Sequence, residues 1–148
     1  MKQSLMKLGP IFFGFTAMIA CGGDSTAPQS GTVAGTYTAT QFVTTGGSGQ
    51  TNQILAGSTL HINLAGNGTT TGQLHLAASG GSSALDADMA GTWTQNGSTI
   101  SFSQTADTFV RNMDFTVVPN GNSWQLVGDD VFSGTQVQIT LTQVFLLL

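Results

Sequence analysis

Residues 58–76 read STLHINLAGNGTTTGQLHL, apolar and polar side chains alternating one by one on either side of a Gly-Asn-Gly centre. A period of two puts Leu60, Ile62 and Leu64 on one face and Thr59, His61 and Asn63 on the other. That is the pattern of a half-buried strand, whereas a helix would repeat its apolar residues every three or four positions. A three-residue loop at Gly66-Asn67-Gly68, with Gly68 left-handed, pairs Leu64 with Thr70 and Leu60 with Leu74. This register keeps Leu74 and Leu76 on the apolar face.

The same alternation runs through the rest of residues 35–148, with 19 threonines between Thr36 and Thr142 and no helical periodicity. In GTWTQNGSTISFS, residues 91–103, Asn96-Gly97 suits a type I′ turn that sets Trp93 opposite Ile100. In RNMDFTVVPNGNSWQLVG a turn over residues 119–122 sets Val117 opposite Trp124 and Phe115 opposite Leu126. The last strand alternates Val137, Ile139 and Leu141 with Gln136, Gln138 and Thr140, and the first is GTYTATQFV from Gly35. The sequence therefore predicts an all-β domain of about eight antiparallel strands in up-and-down (meander) order. Longer loops are expected at residues 46–50 and 77–88.

A sandwich and a barrel both fit strands at this spacing. Open sheets protect their edges with Lys, Pro or inward-pointing charges, and these strands hold no lysine, no glutamate and no internal proline. Closure abolishes the edges, so a barrel is expected. A transmembrane barrel is disfavoured, because strands near seven residues fall short of the 9 to 11 that a bilayer requires and no aromatic girdles flank them. The apolar tail at residues 144–148 leaves two readings open: it extends the last strand against the first, or it touches a bilayer.

Upstream, residues 1–20 have the layout of a secretory signal, with Lys2 and Lys7 before an apolar run too short to span a membrane. The run ends in Met18-Ile19-Ala20-Cys21, which resembles the lipobox of bacterial lipoproteins, where the cysteine is acylated and becomes the new N-terminus. Cys21 is the only cysteine in the chain, so it has no intramolecular disulfide partner. Residues 21–34, rich in Gly, Ser and Pro, read as a flexible tether. The resemblance implies lipidation of Cys21 and a membrane partner reached through that lipid. It also implies a place in the bacterial cell envelope, and Gly22 after the cysteine favours the outer membrane.

Further short motifs, GTYTAT, GTWTQNGSTISFS, STLHINLAGNGTTTG and DTFVR (residues 107–111), resemble the small lipocalin-like domains of bacterial lipoproteins. The resemblance covers most of residues 33–143 and implies a lipocalin-like barrel. The Gly-x-Trp that lipocalins carry on their first strand is Gly35-Thr36-Tyr37 here, with Gly-Thr-Trp at mid-chain, so no ligand chemistry carries over.

Beyond the signal, Arg111 is the only Lys or Arg and faces seven Asp and no Glu, a net charge of −6. Nucleic acid is excluded as a partner, since phosphate binding needs clustered cations. His61 and His75 are diagonal neighbours on one face, yet no third ligand adjoins them, so two solvated histidines and no metal site are expected. Asp86, Asp88, Asp129 and Asp130 read as turn residues rather than calcium ligands, Arg111 as a surface ion pair at a strand start beside Asp107 or Asp114. No nucleophile signature is present; no enzyme activity and no cofactor are expected. What remains is the apolar interior, expected to be mostly filled, with Tyr37, Trp93, Phe115 and Trp124 as the candidate lining of a pocket for a small apolar ligand.

Overall fold

A computed structural model describes residues 32–79 and 81–145. The expected signal peptide, Cys21 and nearly all of the tether lie outside these residues. Ten strands form one antiparallel sheet: β1 (Gly35–Gly46), β2 (Gly49–Asn52), β3 (Thr59–Leu64), β4 (Thr69–Leu76), β5 (Leu85–Asp88), β6 (Gly91–Asn96), β7 (Thr99–Gln104), β8 (Asp114–Asn120), β9 (Ser123–Phe132) and β10 (Thr135–Val144). A 3₁₀ helix, Phe109–Arg111, separates β7 from β8.

The sheet closes on itself. β10 pairs with β1 from Thr36↔Val144 to Thr45↔Gln136, and the circuit β1-β3-β4-β6-β7-β8-β9-β10 is an eight-stranded up-and-down barrel. Val144 thus extends the last strand against the first, and Phe145 beyond it is exposed. β2 and β5 thicken the wall. β2 folds back on the far half of β1, and β5 pairs with the far half of β4 while β6 pairs with its start. Met89 N–H donates to Gly72 C=O between β5 and β6, so the two pair with β4 in a single register.

Alternation decides which side faces in. Tyr37, Phe42, Leu60, Ile62, Leu64, Leu74, Ile100, Phe115, Leu126, Ile139 and Leu141 are all at most 1 % exposed and form one core. The outer face is mostly Thr, Gln, Asn and Asp, the reverse of a lipid-facing barrel. The interior is filled through the middle of the barrel, and burying each such side chain is worth about 1.5 to 3 kcal/mol.

The Gly66-Asn67-Gly68 loop forms as expected, with Gly68 at φ 84°, Leu60 opposite Leu74 and Leu64 opposite Thr70. Two other registers differ from expectation. Asn96 pairs with Thr99, so the turn is Gly97-Ser98, and Trp93 faces Phe102 rather than Ile100. Asn120 pairs with Ser123 around Gly121-Asn122, which sets Val117 against Leu126 and Phe115 against Gly128. Gly97 (φ 61°) and Gly121 (φ 60°) take the first central position, and neither Ser98 nor Asn122 has positive φ, the pattern of a type II′ turn. Both turn types match the strand twist, and a slip of two residues leaves every side chain on its original face.

The expected long loops are also shorter than predicted. Residues 46–50 make a tight β1–β2 hairpin, and β5 occupies the end of the 77–88 segment. Asp86 and Asp88 therefore sit in β5, and Asp129 and Asp130 in β9, not in turns.

Candidate functional site

The two ends of the barrel differ. At one end lie the tight turns at 66–68, 97–98 and 121–122, and Trp93 and Trp124 pack half-buried against the core there. Trp93 Nε1 donates to Ala65 C=O at 2.9 Å. Tyr37 is wholly buried and its hydroxyl donates to Val33 C=O at 2.6 Å, fastening the entry of the chain to the barrel. Burial pushes this phenol well above its usual titration range. Val33 and Ala34, the last residues of the expected tether, pack here; Gln143 Nε2 donates to Ala34 C=O at 3.2 Å.

At the other end the strands part around a cavity of about 540 Å³. That is within the usual range of small-molecule sites, about 300 to 1,000 Å³. Its floor is aromatic. Phe109, on the 3₁₀ helix, lies 5.6 Å from Phe42 of β1 and 6.4 Å from Phe132 of β9, ring centre to ring centre. Phe42 and Phe109 are buried, while Phe132 and Leu85 stand exposed at the rim; Leu76 and Val137 complete the apolar wall.

The 3₁₀ helix sits where it does because the residues between β7 and β8 abandon alternation. Phe109, Val110 and Met113 are all buried, and a turn of three residues is what turns the first two inward together. Arg111 points outward from this turn, not from a strand start, and its Nη1 lies 3.5 Å from Asp107 Oδ1.

A polar chain braces one wall. Gln53 Nε2 donates to Thr44 Oγ1 at 2.8 Å, Ser58 Oγ donates to Gln53 Oε1 at 3.1 Å, and Ala77 N–H donates to Ser58 Oγ at 2.9 Å. β1, the connection from β2 to β3 and the chain leaving β4 are tied together at the mouth. Ser58, 1 % exposed, is thus a satisfied buried polar group.

The opposite corner is not satisfied. Gln104 Oε1, at the end of β7, and Thr108 Oγ1, just before the 3₁₀ helix, are buried without a hydrogen-bond partner among the described residues. Thr108 lines the cavity. Leaving such a group unpaired costs about 1 to 3 kcal/mol. Around it, Ser79, Ser82, Ser83, Ser133 and Thr135 give the mouth a hydroxyl-rich surface, and Asp107 is the only charged residue in the lining among the described residues.

The four residues singled out from sequence are not gathered at this mouth. Tyr37 and Phe115 are sealed in the core, Phe115 with its ring edge-on to Phe102 at 5.4 Å. Trp93 borders a smaller cavity of about 250 Å³ with Thr92, Thr94 and Ser101. The mouth residues Phe42, Phe109 and Phe132 were legible only as members of separate segments; for Phe132, the inward alternation Leu126, Gly128, Asp130 was the available signal.

His61 and His75 lie on neighbouring strands as expected, but each has its own partner. His61 Nδ1 bonds the Thr38 hydroxyl, and His75 Nδ1 lies 2.7 Å from Asp86 Oδ1. Among the described residues no three His, Cys, Asp or Glu side chains come together in a way that could hold a metal ion. No protein-family model matches the chain, and no curated protein is significantly similar to it.

Proposed function

We propose that this chain is a lipid-anchored module of the bacterial cell envelope, held to the outer membrane through an acylated Cys21, whose barrel binds a small apolar ligand at its open mouth. The observation that carries the binding reading is the 540 Å³ cavity, floored by Phe42 and Phe109 and opening past Phe132 and Leu85. Anchoring rests on the Met18-Ile19-Ala20-Cys21 tetrapeptide and the signal-like segment before it. A binding rather than catalytic role accords with the lining, in which hydroxyls abound but, among the described residues, Asp107 is the only charged side chain and neither histidine takes part.

Two measurements test the two halves separately. Cys21→Ser should move the protein from the membrane to the soluble fraction and abolish labelling by a fatty-acid analogue; equal membrane retention of both proteins overturns the anchor. An apolar fluorescent dye should bind the folded protein, and Phe109→Asp should abolish that binding. A dye bound equally well by both proteins overturns the mouth as the site.

A further inference from the structure

We infer that the mouth selects a neutral, hydroxyl-bearing amphiphile, a molecule with an apolar body and an uncharged polar head, and rejects fatty-acid and other anionic head groups. This rests on the reading of the mouth as a binding site and adds the class of ligand.

Charge supplies the first argument. Arg111 is the only Lys or Arg among the described residues; it does not line the cavity and is engaged with Asp107. A carboxylate or phosphate entering the mouth would lose water and meet no cation, only the Asp107 carboxylate. Burying an ion without a partner is far costlier than burying a hydroxyl that is hydrogen-bonded. An ammonium head would meet Asp107, but that carboxylate is largely exposed and already faces a guanidinium, so little attraction is left for a second cation.

Hydrogen bonding supplies the second. Thr108 is 5 % exposed and its Oγ1 has no partner among the described residues, so rotating it about χ1 toward a ligand breaks no existing bond. A hydroxyl both donates and accepts, and so suits the hydroxyl of a neutral head group. Ser79, Ser82, Ser83 and Ser133 line the same opening with further groups of this kind. The aromatic floor would take the apolar body, placing the head among hydroxyls.

The test uses the full chain carrying Cys21→Ser, so that no attached acyl chain competes for the mouth. An apolar dye reports occupancy, and monodecanoylglycerol, decanoate and decylammonium compete for it at pH 8 and moderate salt. Monodecanoylglycerol should displace the dye at a concentration at least tenfold below either ion. Thr108→Val should weaken monodecanoylglycerol relative to the dye by about threefold or more, the worth of one neutral hydrogen bond. Decanoate or decylammonium competing as well as the neutral lipid overturns the selectivity and leaves the binding reading intact. Failure of the dye itself to bind overturns the binding reading, and the selectivity falls with it.

Discussion

Phe115 on β8 lies directly opposite Gly128 on β9, and a Cβ placed on Gly128 would stand 2.9 Å from the Phe115 ring and 3.1 Å from Asp114 C=O. The ring occupies the space that any other residue at 128 would need. Only this register stacks Phe115 on a glycine while its edge meets Phe102, so packing fixes what the turn leaves undecided.

Gly128→Ala should therefore lower stability by about 1 to 3 kcal/mol, the usual cost of overpacking. In a Phe115→Leu background the same substitution should cost less, since contacting residues couple. Denaturant midpoints of the four proteins in this cycle measure the coupling. Strictly additive effects would mean that the ring and residue 128 do not meet.

Gly97 opens the β6–β7 turn at φ 61°, with open space around it. A β-branched side chain there is strained by backbone conformation alone, by about 1 to 3 kcal/mol. Gly97→Val should cost that much, and Gly47→Val little, since Gly47 has open space and no positive φ. Thermal melts of the two variants rank them.

The sequence carries the faces of this barrel far better than its registers. Period two assigns Leu60, Ile62, Ile100 and Ile139 to the interior without reference to anything distant. Register is another matter, because Asn96-Gly97 and Gly97-Ser98 are both good hairpin turns, and so are the alternatives around Gly121. The choice depends on whether Trp93 meets Phe102 or Ile100 and on whether Phe115 meets Gly128 or Leu126, both tertiary questions. β5 carries little signal because LDAD is short and half Asp, a residue depleted in strands; its alternation becomes meaningful only once β4 offers an edge. The mouth was illegible for a related reason. Phe42, Phe109 and Phe132 come from a strand, a 3₁₀ turn and another strand, and barrel closure alone brings them together.

Thr108 and Thr70 offer a paired test of buried hydroxyls. Thr70 Oγ1 donates to Met89 C=O at 2.8 Å, whereas Thr108 Oγ1 has no partner among the described residues. Thr70→Val should destabilise by about 0.5 to 1.5 kcal/mol, the net worth of a hydrogen bond. Thr108→Val, which removes a hydroxyl that bonds nothing, should leave the denaturation midpoint unchanged or raise it. A loss at Thr108 as large as at Thr70 would show that its hydroxyl is engaged in the free protein.

Tyr37, the only tyrosine, ties stability to alkaline pH. In the unfolded chain its phenol titrates at about 10. In the folded barrel it is wholly buried, donates to Val33 C=O and is raised well beyond that value by desolvation of the phenolate. The folded state therefore holds the proton more tightly. Below a pH of about 10 both states are protonated and this contribution is fully present; above it the unfolded chain loses its proton first, and stability should fall by about 1.4 kcal/mol per pH unit. Tyr37→Phe should be somewhat less stable at neutral pH, having lost the bond to Val33, but should lack this part of the alkaline decline. Phenolate absorbance provides the direct measurement: it should stay absent from the folded protein as pH is raised past 10 and appear together with unfolding. Absorbance that rises near pH 10 while the barrel remains folded would place the phenol in water.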